Sequence, residues 1–299
     1  MKIKKKLKEN SYVYLIYCYL RTLCFKLFVG NEKQKQKYIK KRFKKRLGYD
    51  IDFLILPKTF NQKIQFRKLY DKNTLYSICA DKYRVREYIK KKIGEEYLIP
   101  LYLVTNKLTM EQWKQLPDSF VAKANHNSGP VQIVKNKKQA VPKKIITELN
   151  NQLQIDYGVL SMEQYYSDIP RKIIVEKYLK DDIEDYKFHC FKGKIFLERI
   201  TREGLGSMYD IDEWKNLQFS IGYNVDSHLY DKPQNFEKMV CLAKKLSEDF
   251  EYVRVDLYNV DGRIYFGELT FCDSSGFGKF TDEKWDYKFG EFWNQNKLK

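Results

Sequence analysis

Histidine is scarce in this sequence, three residues in 299, and the six cysteines include no CxxC pair. His126, His189 and His228 are dispersed, so a His/Cys zinc centre has no ligand spacing to build on. Cys18, Cys24, Cys79, Cys190, Cys241 and Cys272 sit mostly among apolar neighbours and read as reduced, packed thiols of a cytoplasmic protein. Proline and glycine never cluster into a linker, and no internal repeat divides the chain. Long apolar runs are missing too. The longest uncharged apolar and aromatic stretch, Tyr12 to Leu20, has nine residues, which is too short to span a bilayer, and no small-residue cleavage site follows it.

Acid is what the first fifty residues lack. They hold 16 Lys and Arg against Glu9, Glu32 and Asp50, a net of +13 out of +17 for the whole chain, so the remaining body is close to neutral. An electrostatic partner is therefore expected at the N-terminus. A helix over "SYVYLIYCYLRTLCFKLFVG" places Tyr, Leu, Phe and Cys beside Arg21 and Lys26, and "KQKQKYIKKRFKKR" continues it with strong positive charge. Two readings stand: an interfacial anchor for residues 1–46 on anionic lipid, or a helix packed on the body with a solvated charge run behind it. Nucleic acid is not expected as a partner, since no helix-turn-helix, RRM or zinc-finger pattern accompanies the charge.

The body is soluble and rich in Tyr and Phe, with aromatic residues at 16% and a mean hydropathy of −0.62. Its length suits one large domain or two closely joined ones. "IDFLILP" (51–57) reads as a short buried strand or a helix end, "YSICADKYRVREYIKKKIG" (76–94) as a helix stopped by Gly94, and "TMEQWKQL" as a short capped helix. "YKFHCFKGKIFLERI" reads as a hairpin turned at Lys192-Gly193, Asn235 as the N-cap of a helix to Phe250, and "VRVDLYNVDGRIYFGELTF" as a hairpin turned at Asp261-Gly262. Hairpins mixed with helices give an α+β class with largely antiparallel sheets.

Two stretches carry chemistry. In "SFVAKANHNSGPVQIV" a buried strand bears a single charge, Lys123, immediately before a loop of small amide-rich residues. In the second hairpin, alternation puts Arg254 with Asp256 and Glu268 with Thr270, and counting out from the turn brings Asp256 within about one residue of Glu268. Two carboxylates on adjacent strands repel unless a cation joins them, and magnesium takes one or two carboxylates plus phosphate oxygens.

The order of lysine-bearing strand, small-residue loop, "IIVEKYL" strand and carboxylate hairpin resembles the ATP-grasp superfamily. "FVAKANHNSG", "DYKFHCFKGK" and "VRVDLYNVDGRIYFGELTF" resemble its TupA-like branch, the teichuronopeptide-biosynthesis type, from about Asp81 to Gly290. The resemblance implies two lobes with largely antiparallel sheets clamping ATP with Mg2+. It divides the chain into a basic helical segment (1–75), a preceding region (76–118), a lobe with the phosphate-covering loop (119–183) and a lobe with the metal-binding hairpin (184–299).

It further implies that Lys123 binds the nucleotide phosphates, neutralised in turn by them, and that Asn125, Ser128 and Gly129 belong to the loop covering those phosphates. Lys82 resembles an earlier phosphate-contacting lysine, beside the plainer reading of an exposed first-turn lysine. Glu176, Lys177, Tyr178 and Leu179 match the hinge that meets adenine, and Asp185 (or Glu184) the acid on the ribose. Asp256 and Glu268 match the metal carboxylates, with Thr270 where many relatives carry Asn. Arg254 matches an arginine that stabilises the transferred phosphoryl group, and the Ser274-Ser275-Gly276 loop suits a carboxylate substrate or its oxyanion, with Ser275 as its catalytic member, or is a plain turn. His126 reads as an exposed loop residue or a donor to ATP, Cys272 as a bystander, and Trp285 and Trp293 as packing anchors.

The implied activity is that of an ATP-dependent carboxylate-amine ligase. It would activate a carboxylate as an acyl phosphate and join it to an amine or amino acid, for instance at the uronic-acid carboxyl of a cell-surface polysaccharide unit. The expected location is cytoplasmic, peripheral at the inner face of the plasma membrane. The alternatives are a kinase of the same fold that phosphorylates a sugar or other hydroxyl acceptor, and a non-catalytic membrane- or polysaccharide-binding scaffold.

Overall fold

The computed structural model describes residues 11–294. The path opens with helices α1 (Ser11–Phe28), α2 (Glu32–Leu47), α3 (Phe60–Tyr70), α4 (Leu75–Cys79) and α5 (Val85–Lys92). It continues through β1 (Leu101–Thr105), α6 (Met110–Gln115), β2 (Phe120–Ala124), β3 (Gln132–Val134), α7 (Pro142–Gln152), α8 (Tyr157–Ser161) and β4 (Ile173–Lys177). There follow β5 (Glu184–Phe191), β6 (Lys194–Ile200), β7 (Leu205–Asp210), β8 (Lys215–Asn216), β9 (Asn224–Val225) and α9 (Phe236–Ser247). The last elements are β10 (Tyr252–Val260), β11 (Arg263–Thr270) and α10 (Glu283–Phe292). The chain forms two compact units: one from the segments ending at Gly30, Thr74–Arg86 and Ile99–Lys180, the other from Asn31–Asn73, Glu87–Leu98 and Asp181 onward. The basic N-terminal stretch is thus shared, with α1 in the first unit and α2 and α3 in the second.

In the first unit an antiparallel sheet of order β1-β4-β2-β3 buries one face. Period-two alternation sends Phe120, Ala122 and Ala124 of β2 and Ile173 and Val175 of β4 inward, where Trp113, Leu116, Leu149 and Leu153 of the helical side meet them. α6 starts as expected, with Thr109 and Gln112 exchanging side-chain hydrogen bonds with each other's backbone N–H groups. The single helix expected over 76–94 is instead two, α4 and α5. Buried Asp81 accepts the Tyr83 N–H at 2.8 Å and pairs with Arg84 at 2.8 Å, a local alternative to the helical ladder that breaks it here.

In the second unit the sheet order is β11-β10-β5-β6-β7-β8, with β9 parallel to β7. Both expected hairpins are present and turn at two residues: Phe191 pairs with Lys194 around Gly193, and Val260 with Arg263 around Asp261-Gly262, whose φ angles of 52° and 80° suit a type I′ turn. One sheet face (Phe188, Cys190, Val253, Val255) is apolar and α9 covers it. α3 and α10 pack against each other, with the Phe60 ring inserted among Tyr252, Phe289 and Trp293. Asp286 of α10 clasps α3 by accepting the backbone and side-chain N–H groups of Asn61 at 2.9 and 3.0 Å.

Three local expectations are corrected. "IDFLILP" is neither strand nor helix: Ile51 and Phe53 are buried while Leu54, Ile55 and Leu56 stand in solvent. Asn235 occupies the N-cap position of α9 but makes no capping bond. Its backbone is left-handed, and the side-chain amide donates to the Gly262 carbonyl at 2.5 Å. Four cysteines are buried and packed, but Cys24 and Cys241 are exposed.

Gly290 lies where α10 crosses the start of α3, and a Cβ there would stand 1.9 Å from the Lys58 carbonyl oxygen. Backbone cannot swing aside as a side chain would, so Gly290→Ala is expected to cost about 3 kcal/mol and lower the thermal midpoint by roughly 5–10 °C. Calorimetric melting of the two proteins reads this directly.

Candidate functional site

Lys123 reaches the half-buried face of β2, opposite the core. On that face it meets Glu176 of β4, one pleat away along the register Lys123↔Ile174 and Val121↔Glu176, with Nζ 2.6 Å from Oε2. The charge in an apolar strand is thus tolerated because the neighbouring strand supplies its counter-ion. Burial of both groups favours such a partner inside the fold.

The loop after β2 is built from inside. Asn125 is fully buried, donating to Asp81 at 2.8 Å and to the Pro170 carbonyl at 2.9 Å and accepting the Lys172 N–H at 2.7 Å. Its side chain therefore shapes the loop and is not presented outward. Asn127 accepts the Gly129 N–H at 2.9 Å and donates to Gln152 at 3.0 Å, and Lys82 reaches across to the Asn127 carbonyl at 2.8 Å. Lys82 is thereby half-buried, which corrects the exposed first-turn reading. Ser128 stands exposed at the loop tip beside half-buried Gly129.

His126 is buried, which corrects its reading as an exposed loop residue. Its Nε2 lies 3.1 Å from the Ile155 carbonyl, which only accepts, so that nitrogen carries the proton, and Nδ1 is buried without a hydrogen-bond partner. Burial, with Arg171 and Lys82 nearby, pushes its pKa down to about 4.

Past Glu176, the Lys177 N–H donates to the Pro100 carbonyl at 2.9 Å, so it is already engaged, while Tyr178 and Leu179 lie half-buried beyond the strand.

The second unit gathers charge on one sheet face. Asp185 and Lys187 of β5, Arg254 and Asp256 of β10, and Glu268 and Thr270 of β11 share it through the pairs Asp185↔Tyr258, Lys187↔Asp256, Arg254↔Thr270 and Asp256↔Glu268. The last pair depends on a bulge. Leu257 faces Phe266 while Asp256 faces Glu268, so Gly267 is the extra residue that brings the two carboxylates opposite each other. Arg254 holds Asp256 in a bidentate fork, both distances 2.7 Å, and also donates to Asp273, to Glu268 at 3.3 Å and to Thr270 at 3.2 Å. Lys187 pairs with Asp185 and, at 3.4 Å, with Asp256.

Burial raises the Asp185 carboxyl, with Asp256 adding to it, to a pKa of about 6. The Arg254 guanidinium holds Asp256 low against the opposing effect of burial. Alternation also separates the two ribose candidates: Asp185 lies on the charged face, whereas Glu184 pairs with Arg199 at 3.3 Å.

Two cations face four carboxylates in this cluster, leaving a formal excess of two negative charges. One oxygen of Asp185 is buried with no hydrogen-bond donor, and Glu268 remains 43% exposed. Oxygen donors with that residual charge fit a hard divalent cation, which Asp256 and Glu268 would hold with Thr270 beside them. Among the described residues no group of three or more His, Cys, Asp or Glu side chains is arranged to hold a metal by itself. Magnesium commonly completes its shell with water and substrate phosphates.

The segment after β11 is more than a plain turn. Ser274, Ser275 and Gly276 all have positive φ, at 48°, 54° and 67°, a strained run for two serines. It is held from α3. Lys68 donates to the Ser275 carbonyl at 2.8 Å and hydroxyl at 2.6 Å, and Gln65 donates to the Ser275 and Gly276 carbonyls at 3.0 and 2.7 Å. Lys187, Asp273, Lys68 and Gln65 escaped the sequence reading. Lys187 had a signal, since it sits two residues from Asp185 in the hairpin strand. For the α3 pair no local pattern shows the contact. Cys272 is buried, and Trp293 packs as expected.

A family model described as TupA-like ATPgrasp matches residues 62–294. Among solved structures, D-alanine–D-alanine ligase from Bacillus anthracis complexed with ATP aligns at 19% identity and a TM-score of 0.37, covering 66% of this chain and 55% of that one. D-alanine–D-alanine ligase from Helicobacter pylori aligns at 16% identity and 0.39, over 73% and 61%. L-amino acid ligase from Bacillus licheniformis aligns at 14% identity and 0.41, over 66% and 44%. The chain spans less than two thirds of the length of these structures. A comparison with curated proteins gives no match.

Two outcomes follow from the geometry. Arg254→Met strands Asp256 and Asp273 in the interior and is expected to destabilise by about 3–5 kcal/mol in denaturant titration. For His126 the folded pKa of about 4 lies below the ordinary imidazole value of 6.5, so in that window the unfolded chain takes up a proton that the folded one refuses. Stability attributable to His126 therefore falls as pH drops from 6.5 to 4, by on the order of 3 kcal/mol, and His126→Gln should flatten that slope by about one proton in melts across the range.

Proposed function

Because the chain belongs to the TupA-like ATPgrasp family and is an α+β ATP-grasp protein, we propose that it is an ATP-dependent carboxylate-amine ligase. The observation that carries this is the cross-strand group of Arg254, Asp256, Glu268 and Thr270, a partly buried cation-and-carboxylate set whose residual negative charge suits magnesium. In the reaction a substrate carboxylate oxygen attacks the γ-phosphorus, ADP leaves, and an acyl phosphate forms. An amine then attacks the acyl carbon, phosphate departs, and the nitrogen loses a proton to leave an amide.

In the first unit, Lys123 is assigned to the nucleotide phosphates, held straight by Glu176, and Ser128 and Gly129 to the loop over them. Lys82 sets that loop's position through the Asn127 carbonyl. Lys177, Tyr178 and Leu179 are assigned to the adenine. In the second unit, Asp185 is assigned to the ribose and Asp256, Glu268 and Thr270 to magnesium, which would neutralise phosphate charge. Arg254 is already fixed by three carboxylates and presents its charge to the transferred phosphoryl group without reorganising. Ser275 is assigned to the carboxylate substrate, with Lys68 holding its hydroxyl. The acceptor class we favour is a uronic-acid carboxyl in cell-surface polysaccharide assembly, joined to an amino acid or amine by an enzyme at the inner membrane face.

Calorimetry of nucleotide binding tests the reading. ATP is expected to bind only with magnesium, and Lys123→Ala and Glu268→Gln should each weaken it roughly 10- to 100-fold, with Lys123→Arg recovering part of the loss. Phosphate release that requires both a uronic acid and an amine would identify the ligase, whereas a stable phosphorylated product formed without amine would identify a kinase. Absence of magnesium-dependent binding in the wild type would overturn the assignment.

A further inference from the structure

α1 has two apolar sides and only one of them is covered. Tyr14, Leu15 and Cys18 turn inward, where the helix packs on α7 and α8. Val13, Ile16, Leu20, Leu23 and Leu27 recur at three- and four-residue spacing along the opposite side and all are exposed, Ile16 at 59% and Leu27 at 64%. Tyr19 and Phe28 extend this stripe, at 68% and 71%. An exposed apolar band this continuous is uncommon on a soluble surface and marks something that binds there.

Charge identifies the occupant. The helix contains no acid, only Arg21 and Lys26. Residues 1–10 carry five lysines against Glu9, and α2 carries nine basic residues against Glu32. A second copy of the chain would bring its own Arg21 and Lys26 and the same acid-poor, basic flanking sequence, with no acid on the helix to pair with them, whereas an anionic bilayer attracts such a segment at about 1 kcal/mol per basic residue near the surface. Among the described residues no single helix is long and apolar enough to cross a membrane.

We propose that the outer side of α1 docks on an anionic lipid surface, lying in the headgroup region with Ile16, Leu20, Leu23 and Leu27 turned into the acyl boundary. The inner side of the same helix, through Tyr14 and Leu15, lines a cavity of about 330 Å³ together with Ser128, Gly129 and Gln152. Docking therefore brings the tip of the loop after β2 to within roughly a helix diameter, ~10 Å, of the lipid. This surface stands independently of the ligase assignment.

The test is co-sedimentation of the full chain with vesicles rich in phosphatidylglycerol and with pure phosphatidylcholine vesicles, beside the variant Ile16→Ser, Leu20→Ser, Leu23→Ser, Leu27→Ser. These side chains are exposed, so the variant should keep its fold, checked by an unchanged melt and unchanged MgATP calorimetry. The wild type is expected to pellet with the anionic vesicles and remain in solution with the neutral ones, and the variant to bind at least about 100-fold more weakly. Wild-type protein that stays in solution with anionic vesicles, a variant that binds as well as the wild type, or equal binding to both lipids would overturn the proposal. Sedimentation equilibrium without lipid adds one more decisive result: a wild-type dimer that the four substitutions dissolve would assign the stripe to a second copy instead.

Discussion

A buried guanidinium has to be surrounded by acceptors, and the arrangement around Arg254 follows from that requirement. Its fork is filled by Asp256 two residues along the same strand, Glu268 and Thr270 come from the paired strand, and Asp273 comes from the loop beyond. Each partner constrains a different part of the second unit. Glu268 needs the bulge at Gly267, Asp273 fixes where the chain leaves β11, and Asp256 holds Lys187 on β5. Loss of the arginine would leave Asp273 without its counter-charge and Asp256 with Lys187 alone, so the strand register, the loop path and the residual negative charge are one coupled arrangement.

The first unit solves a smaller version of the same problem. Lys123 and Glu176 are diagonal neighbours on a face that the core does not occupy, and each makes burial of the other affordable. The loop beyond Lys123 is stiffened from below by Asn125, His126 and Asn127, all buried, while Ser128 stands exposed at its tip. A rigid base of this kind holds the exposed tip in one place.

Much of this was legible in the sequence because it is local. A two-residue Asp-Gly turn sets the register of β10 and β11, so the facing of Asp256 and Glu268 follows from counting, short by the single residue that the Gly267 bulge adds. Thr109 and Gln112 mark their helix start in the same way. What stayed hidden depends on contacts between distant segments. Lys68 and Gln65 reach Ser275 over some two hundred positions, and Asp286 reaches Asn61 over a similar distance, with no pattern near either end. The exposed Leu54-Ile55-Leu56 run misled for the opposite reason. Apolar composition implies burial on average, and these residues are an exception that only the path of the backbone reveals.

Charge is used in two physically different ways in this chain, and ionic strength separates them. The ion pairs of Arg254 and Lys123 lie largely out of solvent, where mobile ions screen little. The described basic residues between Arg21 and Arg46 are mostly exposed, and a Debye length of about 8 Å at physiological salt limits the reach of their charge. Added salt should therefore erode attraction to an anionic surface well before it disturbs the buried pairs. The two kinds of charge are thus separable by salt alone, because the described basic residues of the first fifty stand largely in solvent while Arg254 and Lys123 are paired inside the fold.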